Sequence, residues 1–418
     1  MNEPLSIYIH IPFCVRKCSY CDFVSFPPSV CSEDVKDEYI DVLIRELSFY
    51  SEIAGRRIET AFVGGGTPSS LSASQLKRLL DGVNRHFDIG GEYSIEVNPA
   101  TVDTEKLDIM RDFGINRISI GLQSIFDREL KLLGRAHNYG DFLRTLELVK
   151  KAGFGNINVD LMSALPGSDV KTWTKTLETV ADMDVQHISA YSLIIEEGTP
   201  FGEIYGDANK PKYTSDGVWP GESHQDEGGS KYPDLPDEDI EREMYHITKD
   251  ILSSRGFYQY EISNYAKSGF ECRHNVKYWR GGYYIGAGLS ASGHLPGDVF
   301  PGYPGEKHSV RYRNTADISR YLKGMREISL TTGDLYEETE FVTDSDFVRE
   351  LFIFGLRMNE GVEVGRALDL TGDDAFIKKI RADIDRLKAE NLIEENNGII
   401  SLTDRGRDFE NYVVSFFV

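Results

Sequence analysis

The 418-residue chain is poor in cysteine, in basic charge and in long apolar runs. Five cysteines, an odd number, are too few to staple a chain of this length, which argues against a disulfide scaffold. Lysine and arginine number 46 against 68 aspartates and glutamates, a formal net charge of −22. Such acidity argues against broad binding to nucleic acid, which needs basic patches to displace counterions, and no nucleic-acid partner is expected. No apolar run approaches the roughly 20 residues that span a bilayer. Residues 413–418 (VVSFFV) are among the longest. The opening MNEP carries neither a basic nor an apolar stretch, so no secretory leader is expected and the protein is expected in the cytoplasm. What is present, 40% apolar and 11% aromatic residues, suffices for a large core, and the length predicts two or three domains.

Short β-branched runs at 5–11, 60–63, 93–97, 117–120, 156–161 and 187–194 alternate with amphipathic stretches at 33–50, 73–86, 104–113, 139–151 and 170–183. Ser72 stands at capping-box spacing from Gln75. Gly114 and Gly153 sit just past two helix ends. Strand–helix alternation predicts parallel strands joined by right-handed crossovers. Six such units predict an α/β fold, a partial open (β/α)6 barrel over 1–204. Residues 205–236, rich in Gly, Pro and charge, read as an insertion or flexible loop. A helix with an acidic first turn comes next at 237–255, and 278–294 reads as strand and turn. The whole of 237–335 is expected to extend the barrel and link it to the C-terminal part of the chain. There, helical patterns at 346–358, 375–390 and 403–417 enclose a hairpin at 392–402 that turns near Asn397-Gly398. Residues 336–418 are therefore predicted as a C-terminal α+β, winged-helix-like module.

Three of the five cysteines, Cys14, Cys18 and Cys21, fall within eight residues, in a loop directly after the first predicted strand. Three thiolates fill three of the four iron corners of a [4Fe–4S] cluster and leave one iron open to a small ligand. The amino and carboxylate groups of S-adenosylmethionine (SAM) form a suitable chelate, which sets the sulfonium beside an electron donor able to split its S–C5′ bond. The alternative is a binding module with a zinc ion held by His10 and the three cysteines, although zinc more often takes two separated Cys-x2-Cys pairs. Glu96, Gln123 and Asp160 stand at or just past the C-terminal ends of successive predicted strands, the face on which (β/α) barrels build sites. Gly64-Gly65-Gly66-Thr67 ends a strand and lets backbone come close to a ligand; its carbonyls and amides can hold the SAM amino group. Cys31 and Cys272 are spare.

The segment IHIPFCVRKCSYCDF (9–23) resembles the signature of the radical SAM superfamily. More narrowly it resembles the branch holding oxygen-independent coproporphyrinogen III oxidase, a dehydrogenase, and the heme chaperones related to it. The likeness continues in order through GGGTPS (64–69), EVNP (96–99), SIGLQS (119–124), LGRAHN (133–138), DLMSALPG (160–167), YSLIIEEGTP (191–200) and HNVKYW (274–279). It implies that Glu96, Gln123, Arg135 and Asp160 contact SAM, with Arg135 as partner of its carboxylate. Tyr8 and Tyr20 match positions near the cofactor, with Tyr20 against the adenine.

Two departures separate the chain from the dehydrogenase. Only seven residues precede Tyr8, where the dehydrogenase carries a long segment over its porphyrinogen site. Phe23 stands where the dehydrogenase has a further cysteine. Both disfavour decarboxylation of coproporphyrinogen and leave open whether the protein is an enzyme. His274-Asn275-x2-Tyr278-Trp279 favours the chaperone branch. A histidine beside aromatic rings can ligate heme iron while the rings pack on the macrocycle, and Cys272 is a rival ligand. The resemblance then implies heme binding, delivery to respiratory or other heme proteins, a homodimer formed on heme binding, and peripheral association with a membrane.

Overall fold

The computed structural model describes residues 4–206, 232–300, 308–326 and 335–418. Most of the expected insertion at 205–236 thus lies outside the described residues. Strand β1 (Leu5–Ile11) buries Leu5, Ile7, Ile9 and Ile11. Alternation sends these to one face and Ser6, Tyr8 and His10 to the other. Next in the chain are α1 (Glu33–Ala54), β2 (Arg57–Gly65), α2 (Ala73–His86), β3 (Asp88–Ile89), β4 (Tyr93–Val97), α3 (Thr104–Asp112), β5 (Arg117–Gln123), α4 (Asp127–Leu132), α5 (Tyr139–Lys151), β6 (Ile157–Ser163), α6 (Val170–Ala181) and β7 (His187–Ser192). Strands β1, β2, β4, β5, β6 and β7 are parallel neighbours in that order, the expected open (β/α)6 partial barrel. Their outer faces bury Val63, Ile95, Ile118, Ile120, Val159 and Ile188 in one continuous core. Each such side chain contributes roughly 1.5–3 kcal/mol. Helix starts are written locally. Ser72 and Gln75 form the expected capping box on α2, and Asn138 with Asp141 does the same for α5. Gly114 and Gly153 carry positive φ just past α3 and α5.

The sheet continues beyond the six parallel strands on both flanks. Beyond β7 come α7 (Pro200–Tyr205), α8 (Glu238–Ser254), β8 (Tyr258–Glu261), β9 (Asn264–Ala266), α9 (Arg273–Trp279), β10 (Tyr284–Ala287), β11 (Ser292–Pro296), β12 (Ser309–Asn314), α10 (Ile318–Arg326) and β13 (Tyr336–Val342). The β8–β9 hairpin adds antiparallel to β7. On the opposite flank β10 pairs parallel with β1, and β11, β12 and β13 add antiparallel beyond it. Among the described residues the sheet has 13 strands. Of the stretch read as strand and turn, 278–279 instead ends helix α9. That helix has only seven residues and no side-chain cap of its own; its first two amides are held by Glu92 from the barrel.

The carboxylate of Glu46 on α1 is fully buried and accepts hydrogen bonds from the Gly288 amide, Asn314 Nδ2 and the Tyr321 hydroxyl. It ties α1 to the β10–β12 flank. Burial outweighs these donors and lifts its pKa from 4.5 to about 7. A raised folded-state value means the native protein holds a proton that the unfolded chain releases. Glu46's share of stability is therefore complete below 4.5 and is lost as pH rises through about 7. Urea midpoints of wild type are expected to fall across that window, and those of Glu46→Gln to stay flatter. Parallel curves would remove Glu46 as the cause.

The C-terminal module comprises α11 (Asp344–Gly355), β14 (Val362–Glu363), α12 (Val364–Leu368), α13 (Asp374–Ala389), β15 (Ile393–Asn396), β16 (Ile399–Leu402), α14 (Asp404–Asp408) and α15 (Glu410–Val414). It is an α+β unit with its own core, including Phe352, Ile380, Leu387, Ile400 and Phe417. The expected hairpin is β15–β16, and β14 completes a three-stranded sheet. The single helix expected at 403–417 is broken at Phe409 (φ −119°, ψ 30°), a bend that lets Val413 and Phe417 reach the core. At the seam with the barrel, Arg357 meets the buried Glu261 at 3.4 Å and lies over the Trp279 ring at 4.6 Å. The Asn359 amide donates to the Tyr260 carbonyl.

Candidate functional site

The cysteine loop leaves the end of β1 and is pinched at its base, where Phe13 and Phe26 bridge and the Cys14 amide donates to the Phe26 carbonyl at 3.0 Å. Its middle is stitched to the barrel. The Ser19 amide donates to the Leu133 carbonyl, and the Ser19 carbonyl accepts from the Phe201 amide. Gly134, in the LGRAHN motif, has φ +74°, and a Cβ there would lie 2.9 Å from Ser19 Oγ and 3.7 Å from the Cys18 Cα. Only glycine permits this approach of the loop to the barrel. All five cysteines are free thiols; Cys14, Cys18 and Cys21 are half-exposed, whereas Cys31 and Cys272 are buried. Burial pushes the Cys14 thiol up and the Cys21 thiol up to about 11, so loading a metal there releases protons.

The glycine run joins loop to barrel. The amides of Gly66 and Thr67 donate to the carbonyls of Ile11 and Phe13, and that of Gly65 donates to Glu96 Oε2 at 3.0 Å. The amides of these three residues are thus spent, and the Thr67 carbonyl accepts from the Ser70 amide, which leaves the glycine carbonyls of the run as acceptors for an amino group. Gly65 has φ +107°, and a Cβ there would meet the His10 ring at 2.3 Å. Thr67 is buried, with its Oγ1 3.4 Å from Cys14 Sγ.

Arg135 is the hub of the opposite wall. Its Nη1 donates to Cys18 Sγ at 3.6 Å and to the Tyr20 hydroxyl at 3.4 Å. Its Nη2 donates to Asn98 Oδ1 and to the Gly121 carbonyl. Its Nε is buried without a partner among the described residues, a donor still free for a carboxylate. Asn98, in the EVNP motif, has no role assigned from sequence, yet it also donates to Thr67 Oγ1 at 2.7 Å and so links the Cys14 and Cys18 sides of the loop. A side chain on Gly121 would meet Arg135, Asn98 and Gln123 within 3.1–3.3 Å, so closely do the three converge. Gln123 sits at a β5 irregularity with φ +75°. A polar residue at such a strand end was the available signal.

Glu96 and Asp160 face the barrel interior from β4 and β6. Burial, then the charge of Asp160, lifts Glu96 to about 8; burial raises Asp160 despite donors from Asn158 and Ser119. Tyr8 donates to His10 Nδ1 at 2.9 Å, and His10 Nε2 donates to the Val24 carbonyl. Burial holds His10 neutral, down to about 4. Both His10 nitrogens are therefore engaged away from the thiols. The zinc alternative needs His10 as its fourth donor, and that ring is turned to Tyr8 and the Val24 carbonyl. A cluster spreads its thiolates over separate irons and has no such need. The donor set fits one: three free thiols on a single loop, backed by an arginine and a threonine. Tyr20 packs with Leu133, Leu165 and Phe201. Cys31 is part of the main core.

His274 lies elsewhere, at the base of the barrel. It is almost fully buried, and burial lowers it to about 3. Thr60 donates its hydroxyl to Ser6, so it accepts from His274 Nδ1; Nε2 in turn accepts from the Tyr278 hydroxyl at 2.7 Å. Both nitrogens are taken, and the expected heme ligand is closed in this conformation. Cys272 is equally buried, with its Sγ 3.4 Å from Glu92 Oε1.

The fold and the loop are those of a radical SAM protein. Residues 8–180 match the family described as the radical SAM superfamily, and residues 342–409 match the HemN C-terminal domain. The solved structure of coproporphyrinogen III oxidase (HemN) from Escherichia coli, a radical SAM enzyme, shares the fold at a TM-score of 0.76. That match covers 99% of this chain and 90% of the other at 22% identity. The heme chaperone HemW of Bacillus subtilis is 33% identical over 99% of both chains, and that of Escherichia coli 32% identical over 99% and 98%. The chain belongs to the HemW family of heme chaperones.

Proposed function

We propose that this protein is a heme chaperone that binds heme and hands it to acceptor proteins, respiratory ones among them. The observation that carries this reading is the end-to-end likeness to proteins named heme chaperones. The cofactors in this reading are a [4Fe–4S] cluster on Cys14, Cys18 and Cys21 and one SAM. When bound, they supply a one-electron donor next to a sulfonium. Around them, Arg135 Nε meets the SAM carboxylate and the carbonyls of 64–66 take the amino group. Glu96 and Asp160 favour a cation between them, and Gln123, Tyr8 and Tyr20 close the pocket. The same reading includes residence in the cytoplasm, dimer formation on heme binding and peripheral contact with a membrane. Among the described residues no helix is long and apolar enough to cross one.

Oxygen-free reconstitution and then heme titration, with and without SAM, tests the proposal. A stable heme complex that reactivates a heme-free acceptor is expected. Decarboxylated product from coproporphyrinogen and SAM, or no heme complex at all, would sink it.

A further inference from the structure

A line of buried hydrogen bonds leaves Asp160 and runs through the barrel interior to the seam with the C-terminal module. The Asp160 carboxylate accepts from Asn158 Nδ2 at 2.7 Å and from Ser119 Oγ at 3.2 Å. With Nδ2 turned to Asp160, Asn158 meets His187 through Oδ1, which lies 2.6 Å from His187 Nδ1. An amide oxygen only accepts, so Nδ1 carries the proton and Nε2 the lone pair. Burial keeps the ring neutral, as that tautomer requires. Nε2 then accepts from the Tyr260 hydroxyl at 2.9 Å, and the Tyr260 oxygen accepts from the Cys272 amide at 3.2 Å. Asn158, His187, Tyr260 and Cys272 are all buried.

Every donor in the line points toward Asp160. The opposite order would set Asn158 Oδ1 against the carboxylate, two acceptors face to face, unless Asp160 took up a proton. The Asn158–His187 pair thus has two discrete arrangements, and the Tyr260 hydroxyl favours the one that keeps Asp160 charged. Burial works against that charge, so the donors decide whether it survives. The far end of the line is held by the C-terminal module. The Tyr260 carbonyl accepts from the Asn359 amide, and Tyr260 packs with Met358.

We infer that His187 and Tyr260 are positioning residues for the SAM pocket, acting through Asn158 to hold Asp160 as a charged acceptor. This rests on the reading of Asp160 as a SAM contact and extends that pocket to the seam. Calorimetric titration of the cluster-loaded full chain with SAM tests it. Tyr260→Phe keeps the ring and removes one hydroxyl, and is expected to weaken SAM about five- to tenfold. His187→Leu is expected to match that loss. His187→Asn, which restores an N–H at the Nδ1 position, is expected to recover most of it. Tyr265→Phe is the control: that hydroxyl is buried without a partner among the described residues, and SAM should bind as in wild type. Circular dichroism checks the fold of each variant, and the His187 pair decides if Tyr260→Phe does not fold. Folded Tyr260→Phe and His187→Leu that bind SAM as wild type does overturn the inference, as does an equal loss in Tyr265→Phe or His187→Asn. Unchanged SAM affinity in Asp160→Asn, or no SAM binding by wild type, overturns the pocket reading instead.

Discussion

Replacing any one of Cys14, Cys18 or Cys21 with alanine is expected to leave protein purified without oxygen colourless and nearly free of iron and sulfide, with its circular dichroism unchanged. The thiols are half-exposed and outside the core clusters, so the fold does not depend on them. Cluster binding does, because three donors are the fewest that leave a single corner open. Cys31→Ala, in the core behind the loop, is expected to keep the colour. Iron retained at the wild-type level in all three loop variants would defeat the cluster assignment. So would a wild-type protein that stays folded yet takes up no iron.

The second large effect is on stability. Glu92 is buried, and its carboxylate accepts from the Arg273 and His274 amides, from Ser94 Oγ and from Cys272 Sγ. It also faces the fully buried Arg117. Glu92→Ala leaves that guanidinium short of a counter-charge and two helix-start amides without an acceptor. The expected cost is about 3–5 kcal/mol, from two buried amides left without an acceptor at about 1–3 kcal/mol each and the lost negative charge near Arg117. Urea unfolding measures it, and Glu92→Gln, which keeps an acceptor oxygen, should lose less. A loss near zero in Glu92→Ala would mean that α9 is held by its packing alone.

Glu92 and the helix it holds also mark where the sequence stops being readable. Period-two alternation placed β1 and β4 at their observed bounds, and local caps such as Ser72–Gln75 placed α2. Alternation and capping are short-range, so they survive in the linear chain. Helix α9 was missed because its stabilising group sits on residue 92, some 180 positions away, while its Tyr and Trp favour strands. The flanking strands β8 to β13 are short and mostly antiparallel, and nothing local says which edge they join. At the cofactor site the thiols and the strand-end acids were visible by type and spacing, and Arg135 only through the family resemblance. Asn98 was not, because a bridging amide has no pattern of its own. At His274 the motif was legible, but its ring's hydrogen bonds to Thr60 and Tyr278 were not.

Strand β1 lies between β2 and β10, so its neighbour on one side is made some 275 positions after it. A nascent chain that has emerged only through β9 still presents β1 as an unpaired edge, inviting contact with other chains. The thiol loop hangs from the end of that strand. Iron delivery during translation would therefore meet a half-built cradle, whereas delivery after residue 287 has left the ribosome meets a finished one.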